Sequence, residues 1–449
     1  MNARVAVVGS GPSGMYAADA LLERGIEVDV IDRLPVPFGL VRYGVAPDHT
    51  SIRSVRDTLD QMWDKPGIRF LGNVEVGKDI SIEELQAAYS AVILTYGASS
   101  DRRLAIDGED LIGSVAATDL VAWYTGHPDY RGPDFDELLS NVRNVAVIGV
   151  GNVAVDVVRV LSKSRSELSQ TDMPEHVLRT LDSAPVERVY LIGRRGPVQA
   201  TFTTKELREL GELEESDIKV DPTDLDLDPV SEGELADNKV AARNVKVLQE
   251  WIDKPPRQDA KRTIFVKFFH RPIALRGDGR VTALEVERTE FDPEGRVVGT
   301  GQYEHLPVDL VVRSVGYRGT AMPGVPFDPD RNVIPNIDGR VMDGSEPIRG
   351  LYVAGWIKRG PTGIIGTNKK CAVGTVASLL ADLDEGRLIH ETDARGIDEV
   401  LAQRGVQTIG ISGWRSIDAQ ERARGEERGR PRMTIHDRTE LVEIGTTGH

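Results

Sequence analysis

Apolar positions change their period twice within residues 4–32, "RVAVVGSGPSGMYAADALLERGIEVDVID". The continuous run Val5 to Val8 predicts a buried strand. Glycines follow, the apolar positions then recur at helical spacing, and a second strand ends in Asp32. Residues 33–62, rich in Pro, Gly and charge, predict a long loop running into a helix, and "YSAVILTYGAS" (89–99) predicts another buried strand. The pattern restarts at "VRNVAVIGVGNVAVDVVRVLS" (142–162), with its second strand, "ERVYLIG" (187–193), delayed by a polar excursion at 163–186. Residues 206–235 carry mostly acid and predict solvated helix and loop. "VDLVVRSVG" (308–316) and "GLYVAGW" (350–356) predict strands, and "CAVGTVASLLADL" (371–383) a helix. From 388 the chain is polar, with a weak helical period around 394–404 and 416–424 that predicts peripheral packing.

Two strand–glycine–helix units about 140 residues apart predict an α/β fold with two Rossmann-like (doubly wound) dinucleotide-binding domains. The late strands need a sheet to join, so the second unit is expected to be inserted within the first. A length of 449 residues agrees with more than one core. The net charge of −16 argues against nucleic acid as the main partner, because phosphate backbones call for a basic face. The lone cysteine, Cys371, excludes a CxxC redox pair and a cysteine-ligated iron–sulfur cluster. No apolar run approaches a membrane span, and the first strand starts at Val5, so a cytoplasmic (bacterial) location is the expectation.

The first turn, "GSGPSG" (9–14), has the GxGxxG spacing in its required context. Gly9 permits the tight turn, Gly11 lets backbone approach a pyrophosphate, and Gly14 lets helix pack on strand. Asp32, 18 residues beyond Gly14, suits ribose hydroxyls, as in FAD or NAD sites. The second turn, "GVGNVA" (149–154), ends in Ala154, and Asn152 suits either a phosphate contact or a helix cap. Where the first unit places an acid, the second places Gly193, Arg194 and Arg195. A guanidinium fork binds a 2′-phosphate that an acid would repel, so this site favours NADP(H) unless the arginines pair with nearby acids such as Glu206 and Glu209. Two different dinucleotides in one chain imply hydride transfer between them. A third cluster, "GWIKRGPTGIIGTNKK" (355–370), offers Trp356 and the backbone of Gly363, Ile364 and Ile365 to a flavin ring.

"VGSGPSG", "PFGLVRYGVAPDH", "GVGNVAVDVVR", "GRRGPVQATFTTKELREL", "VVRSVGYRG" and the 355–370 cluster together resemble the adrenodoxin-reductase-like ferredoxin–NADP⁺ reductases, most of all the mycobacterial and actinobacterial members. The resemblance spans nearly the whole chain. It implies an FAD domain of two segments, 1–103 and 322–449, with an NADP domain, 104–321, inserted between them. It implies electron exchange between NADPH and a ferredoxin, a small acidic iron–sulfur protein. Position by position, it places FAD on Gly9, Ser10, Gly11, Gly14, Asp32, Leu40, Val74, Trp356 and Gly363 to Ile365. NADP(H) falls on Gly151, Asn152, Val153, Ala154, Arg194, Arg195 and Glu206, with Gly363 near the nicotinamide and either Arg102 or Arg103 at the phosphates. Many members have Glu where Asp32 stands. His49 and Glu209 match a pair implicated in hydride or electron transfer; for His49 the competing interpretation is a hydrogen-bonded structural histidine lining the cleft.

Residues 243–276 hold nine Lys/Arg against three Asp/Glu, and Arg243, Lys246, Lys261 and Arg262 are candidates to dock an acidic ferredoxin, with Arg42 and Lys358 near the flavin edge. An ordinary solvated face is the competing interpretation. The missing CxxC weighs against a disulfide reductase of the thioredoxin-reductase type. An NADPH-oxidising flavoprotein subunit of a larger electron-transfer complex, like the small subunit of glutamate synthase, is the alternative function; those subunits carry an N-terminal cysteine-rich cluster domain, which is not expected here with the first Rossmann strand starting at Val5.

Overall fold

Strand Arg4–Val8 pairs in parallel with Glu27–Asp32 on one side and Ala91–Leu94 on the other, in the interior of a seven-stranded sheet. Ile68–Gly72 extends it beyond Glu27–Asp32, and Glu346–Val353 joins beside Ala91–Leu94, both parallel. Arg340–Asp343 and Asn336–Ile337 finish that edge antiparallel. The computed structural model describes residues 3–363, 365–388 and 395–447.

Packing separates two units: Met1–Ser100 with Thr125–Asp129 and Tyr317–His449, and Asp101–Tyr124 with Tyr130–Gly316. The short excursion Thr125–Asp129 packs with the first unit although it lies within 104–321. There the Thr125 hydroxyl donates to the Tyr43 carbonyl at 3.2 Å, and Asp129 pairs with Arg33 at 2.9 Å.

The second unit has a six-stranded, wholly parallel sheet. Asn144–Ile148 pairs with Arg188–Ile192 in spite of the 163–186 excursion, and Leu310–Arg313 inserts on its other side. Buried apolar residues line these strands, as parallel sheets covered on both faces require. A three-stranded antiparallel sheet, His270–Arg276, Ala283–Phe291 and Val297–Pro307, was not anticipated from the basic stretch that contains its first strand.

Two expectations are corrected. The C-terminal segment is not peripheral: helix Ile411–Glu426 buries Trp414, Ile417 and Glu421 in the first unit. Its period looked weak because the buried face contains a glutamate. Residues 206–235 are not simply solvated either, since Glu206, Leu207, Leu210 and Asp224 are buried.

Candidate functional site

Each unit builds a glycine cradle at the end of its central strand. In the first unit Gly9 has φ +109°, and an added Cβ would meet the Thr95 carbonyl carbon at 2.9 Å. A Cβ on Gly14 would lie 1.9 Å from the Gly9 oxygen. A Cβ on Gly11 would meet nothing within 4 Å, so the backbone there faces open space. Helix Pro12–Leu22 begins at Gly11 with no side-chain cap, leaving first-turn N–H groups as donors for an anion.

Asp32 turns inward on this cradle. Its Oδ2 accepts from the Ser10 N–H at 2.7 Å and from the Ser10 hydroxyl, and its Oδ1 accepts from the Leu34 N–H at 2.9 Å. Burial pushes the Asp32 carboxyl above its ordinary range, against these bonds that favour the carboxylate. Asp32 therefore braces the turn as well as closing the strand, and its lone pairs exceed those already engaged.

The "PFG" segment lies across the same turn. The Phe38 N–H donates to the Ser10 carbonyl at 3.2 Å, and a Cβ on Gly39 would come within 3.2 Å of the Gly11 Cα. Leu40, half-buried, starts the short helix Leu40–Tyr43 beside this crossing. Val74 is buried, with its N–H on the Asp32 carbonyl at 2.9 Å. His49 is buried too, and its carbonyl accepts from the Arg53 N–H at 3.1 Å to start the turn Thr50–Arg53.

The third cluster closes on the helix start. A Cβ on Gly355 would lie 2.4 Å from the Ser13 hydroxyl, and the Gly355 N–H donates to the Cys371 sulfur at 3.3 Å. Trp356 sets its ring 5.5 Å from that of Tyr317, and its indole N–H is buried with no partner among the described residues. Arg359 anchors the following loop through Asn368 Oδ1 at 2.7 Å, and Gly363 holds φ +84°. Ile365 opens the long helix Ile365–Asp384, while Ile364 lies outside the described residues. An open glycine cradle, an uncapped helix end and an orphaned buried indole N–H fit a bound dinucleotide with a ring near Trp356.

The second unit repeats the cradle. Gly149 has φ +131° and a Cβ there would lie 2.2 Å from the Ser314 oxygen, whereas one on Gly151 would meet only the Thr201 hydroxyl, at 3.3 Å. Ala154 is fully buried, and Val153 is half-buried in the first turn of helix Asn152–Ser162. Asn152 does not cap that helix. Its Oδ1 accepts from the N–H of Thr203, which starts helix Thr204–Leu210. That leaves the Asn152 amide N–H₂ for a ligand.

The two strand ends differ as the sequence implies. Asp32 is buried; Arg194 and Arg195 are exposed and make no ion pair among the described residues. The acids named as competing partners form no ion pair with Arg194 or Arg195 among the described residues. Glu206 is buried in the first turn of its helix, and Glu209 pairs with Arg159 at 3.3 Å and with Lys205 at 3.9 Å. Arg159 is almost wholly buried and also pairs with Asp156 at 2.8 Å, so Glu209 is tied to the neutralisation of a buried cation. Of the two candidate phosphate arginines, Arg103 is held by Asp110 and Glu109, whereas Arg102 is exposed without an ion pair among the described residues.

The basic candidates separate. Arg243 and Lys246 are exposed on helix Lys239–Ile252 with no carboxylate partner among the described residues. Lys261 pairs with Glu215 at 2.7 Å, and Arg262 lies near the same carboxylate at 3.8 Å with a side chain only 11% exposed. Arg42 is corrected outright: it is buried against Glu421 and presents no charge to a partner. Lys358 donates to the Thr375 hydroxyl at 3.1 Å. Among the described residues no His/Cys/Asp/Glu group is placed to hold a metal, and no helix is long and apolar enough to cross a membrane.

Residues 3–220 match the family described as pyridine nucleotide-disulphide oxidoreductase. The chain is 44% identical to the NADPH-ferredoxin reductase FprA of Mycobacterium tuberculosis over 98% of both chains. It is 40% identical to the mitochondrial NADPH:adrenodoxin oxidoreductase of Arabidopsis thaliana, over 96% of this chain and 93% of that one. The solved structure of M. tuberculosis FprA in complex with NADPH superposes with a TM-score of 0.92 at 42% identity, covering 99% of this chain and 100% of the other.

Proposed function

The chain belongs to the family of NADPH-ferredoxin and NADPH:adrenodoxin reductases, and on that premise we propose how its own residues divide the work. It is an FAD-dependent oxidoreductase that carries electrons between NADPH and an iron–sulfur protein. Bound FAD supplies the conversion between a hydride, taken as an electron pair, and electrons released singly.

The observation that carries the assignment of sites is the contrast between Asp32 and the Arg194–Arg195 pair at equivalent strand ends. The segments 1–103 and 322–449 hold FAD: Gly9, Ser10, Gly11 and Gly14 receive its pyrophosphate, Asp32 its ribose, and Leu40, Val74, Trp356 and the 363–365 backbone its remaining surface. The segment 104–321 holds NADP(H): Gly151 to Ala154 take the pyrophosphate, with Arg102 beside it, and Arg194 and Arg195 take the 2′-phosphate. Two unpaired guanidiniums on a fixed turn support this, because a phosphomonoester dianion is what neutralises them together.

Glu206 and Glu209 flank this site from helix Thr204–Leu210. Glu209 acts by holding Arg159, and through it helix Asn152–Ser162, in place. His49, buried on the loop that begins at the Gly39–Gly11 contact, orients the FAD side. Arg243 and Lys246 are the docking cations for the acidic iron–sulfur partner; Lys261 and Arg262 are tied to Glu215 and contribute less. The test is reduction of the purified holoprotein by NADPH and NADH side by side. A protein that takes no FAD, or that reacts equally with both nucleotides, would overturn the assignment.

A further inference from the structure

Arg194 and Arg195 have no ion pairs to place them among the described residues, so their direction depends on the backbone that carries them. That backbone is held from outside its own sheet. The His270 N–H donates to the Gly193 carbonyl at 2.9 Å, the Thr289 hydroxyl to the Arg194 carbonyl at 2.8 Å, and the Phe269 N–H to the Arg195 carbonyl at 3.1 Å. Three consecutive carbonyls of the turn are thus gripped by the start of the antiparallel sheet 270–307, a feature no part of the nucleotide assignment uses.

The grip is itself built on buried polar groups. Phe269 has φ +55°, a conformation an L-residue holds only under constraint. Asp224, fully buried, supplies that constraint. Its Oδ2 accepts from the Phe268 N–H at 2.8 Å, and its Oδ1 accepts from Arg288 at 2.6 Å. The Arg288 guanidinium also lies 5.5 Å from the centre of the Phe269 ring, and the Thr289 N–H donates to the Phe269 carbonyl at 2.8 Å. The register of strand Ala283–Phe291 against its neighbour shifts between Glu287 and Thr289. An irregularity of this kind re-aims the side chains beside it.

We propose that Thr289, supported by the Asp224–Arg288 pair, is a specificity-positioning residue: it fixes the Arg194–Arg195 backbone so that both guanidiniums converge on the phosphomonoester of a 2′-phosphorylated adenosine ribose. This rests on the 2′-phosphate reading above and deepens it. A guanidinium fork discriminates by geometry, so a turn free to shift loses the two-armed contact while keeping its charge. The rest of the nucleotide, held by the Gly149–Ala154 cradle, is unaffected.

The test measures binding rather than turnover. FAD-loaded protein is titrated with 2′,5′-ADP and with 5′-AMP by calorimetry. Thr289→Val keeps the branched shape and removes the donor. It is expected to weaken 2′,5′-ADP by about fivefold or more while 5′-AMP changes less than about twofold. Thr289→Ser, which restores the donor, is expected to recover the 2′,5′-ADP affinity. Arg288→Lys, which keeps charge but loses the planar stack on Phe269, is expected to share the selective loss. Unchanged affinities in Thr289→Val, or equal losses for both ligands, would overturn the positioning role. The Arg194→Ala/Arg195→Ala variant separates the two levels. If it loses the preference for 2′,5′-ADP and Thr289→Val does not, the positioning role of Thr289 alone fails. If it keeps the preference, the 2′-phosphate reading fails and the positioning role with it.

Discussion

Arg42 and Glu421, 379 positions apart, form an ion pair whose side chains are 1% and 0% exposed. Glu421 also accepts from Arg432 at 2.6 Å and from the Ile435 N–H at 2.9 Å, so its charge is shared between two arginines and a backbone donor. Arg42 lies over the rings of Tyr43 and Trp414, at 5.0 and 5.5 Å, and its carbonyl accepts from Arg53 at 3.2 Å. The C-terminal segment thereby clamps the short helix that carries Leu40 and the loop that carries His49. Removing one partner of a buried pair leaves the other charge uncompensated, at a cost of about 3–5 kcal/mol. Glu421→Ala is expected to lower stability by that order in chemical denaturation and to weaken FAD retention on dilution. Retention equal to that of the parent protein would separate the clamp from the cofactor.

Acid should act through Glu421 and through His127. Burial alone would push the Glu421 carboxyl up, but Arg42 and Arg432 hold it below its ordinary range. A depressed folded-state value means that its stabilisation is fully present above the unfolded glutamate range, about 4.3, and is lost as pH falls through the folded value. His127 titrates earlier. Burial pushes its imidazole down to about 4, against the pull of Asp129. The unfolded chain binds that proton near pH 6.5 while the folded chain does not, so stability falls between about 6.5 and 4. His127→Gln is expected to flatten this upper window in a pH series of unfolding midpoints, and Glu421→Gln the lower one.

Gly14 and Gly11 of the first turn should fail in different ways. Gly14→Ala drives a Cβ to 1.9 Å from the Gly9 oxygen, so helix and strand must separate, at an overpacking cost of about 1–3 kcal/mol. Gly11→Ala meets nothing within 4 Å and should leave the apoprotein's thermal midpoint nearly unchanged. It fills the space reserved for the pyrophosphate, so FAD affinity should fall at least about tenfold, ~1.4 kcal/mol. Equal loss of midpoint in both variants would contradict an open cradle at Gly11.

Exchange of charge tests the docking face. Arg243→Glu with Lys246→Glu is expected to slow reduction of an acidic ferredoxin severalfold at low salt, with the difference shrinking as salt rises. Reduction of ferricyanide should be unaffected. Lys261→Glu, made at a residue already paired with Glu215, should do less. The same slowing with both acceptors would place the defect in the nucleotide or flavin site.

Local rules made the cradles legible: Gly9, Gly14 and Gly149 each sit where a side chain would collide, and glycine spacing reports such collisions directly. The acid and the arginines at the two strand ends were legible because each closes the apolar run of its unit's second strand, even though the 163–186 excursion makes the second unit longer. Arg42 was misread because an exposed cation and a buried one look alike in sequence when the neutralising group lies 379 positions away. Thr289 was missed because its contact with the Arg194 carbonyl spans 95 positions and joins two different sheets. Glu421 concealed its helix by placing a charge on the buried face.

The central claim is that Arg194 and Arg195 select the 2′-phosphorylated nucleotide, and stopped-flow bleaching of the holoprotein tests it most directly. The wild-type protein should be reduced far faster by NADPH than by NADH at equal concentration. The Arg194→Ala/Arg195→Ala variant should lose at least about tenfold of that ratio, ~1.4 kcal/mol, through its rate with NADPH alone. An unchanged ratio in the variant, or none in the wild-type protein, would contradict it.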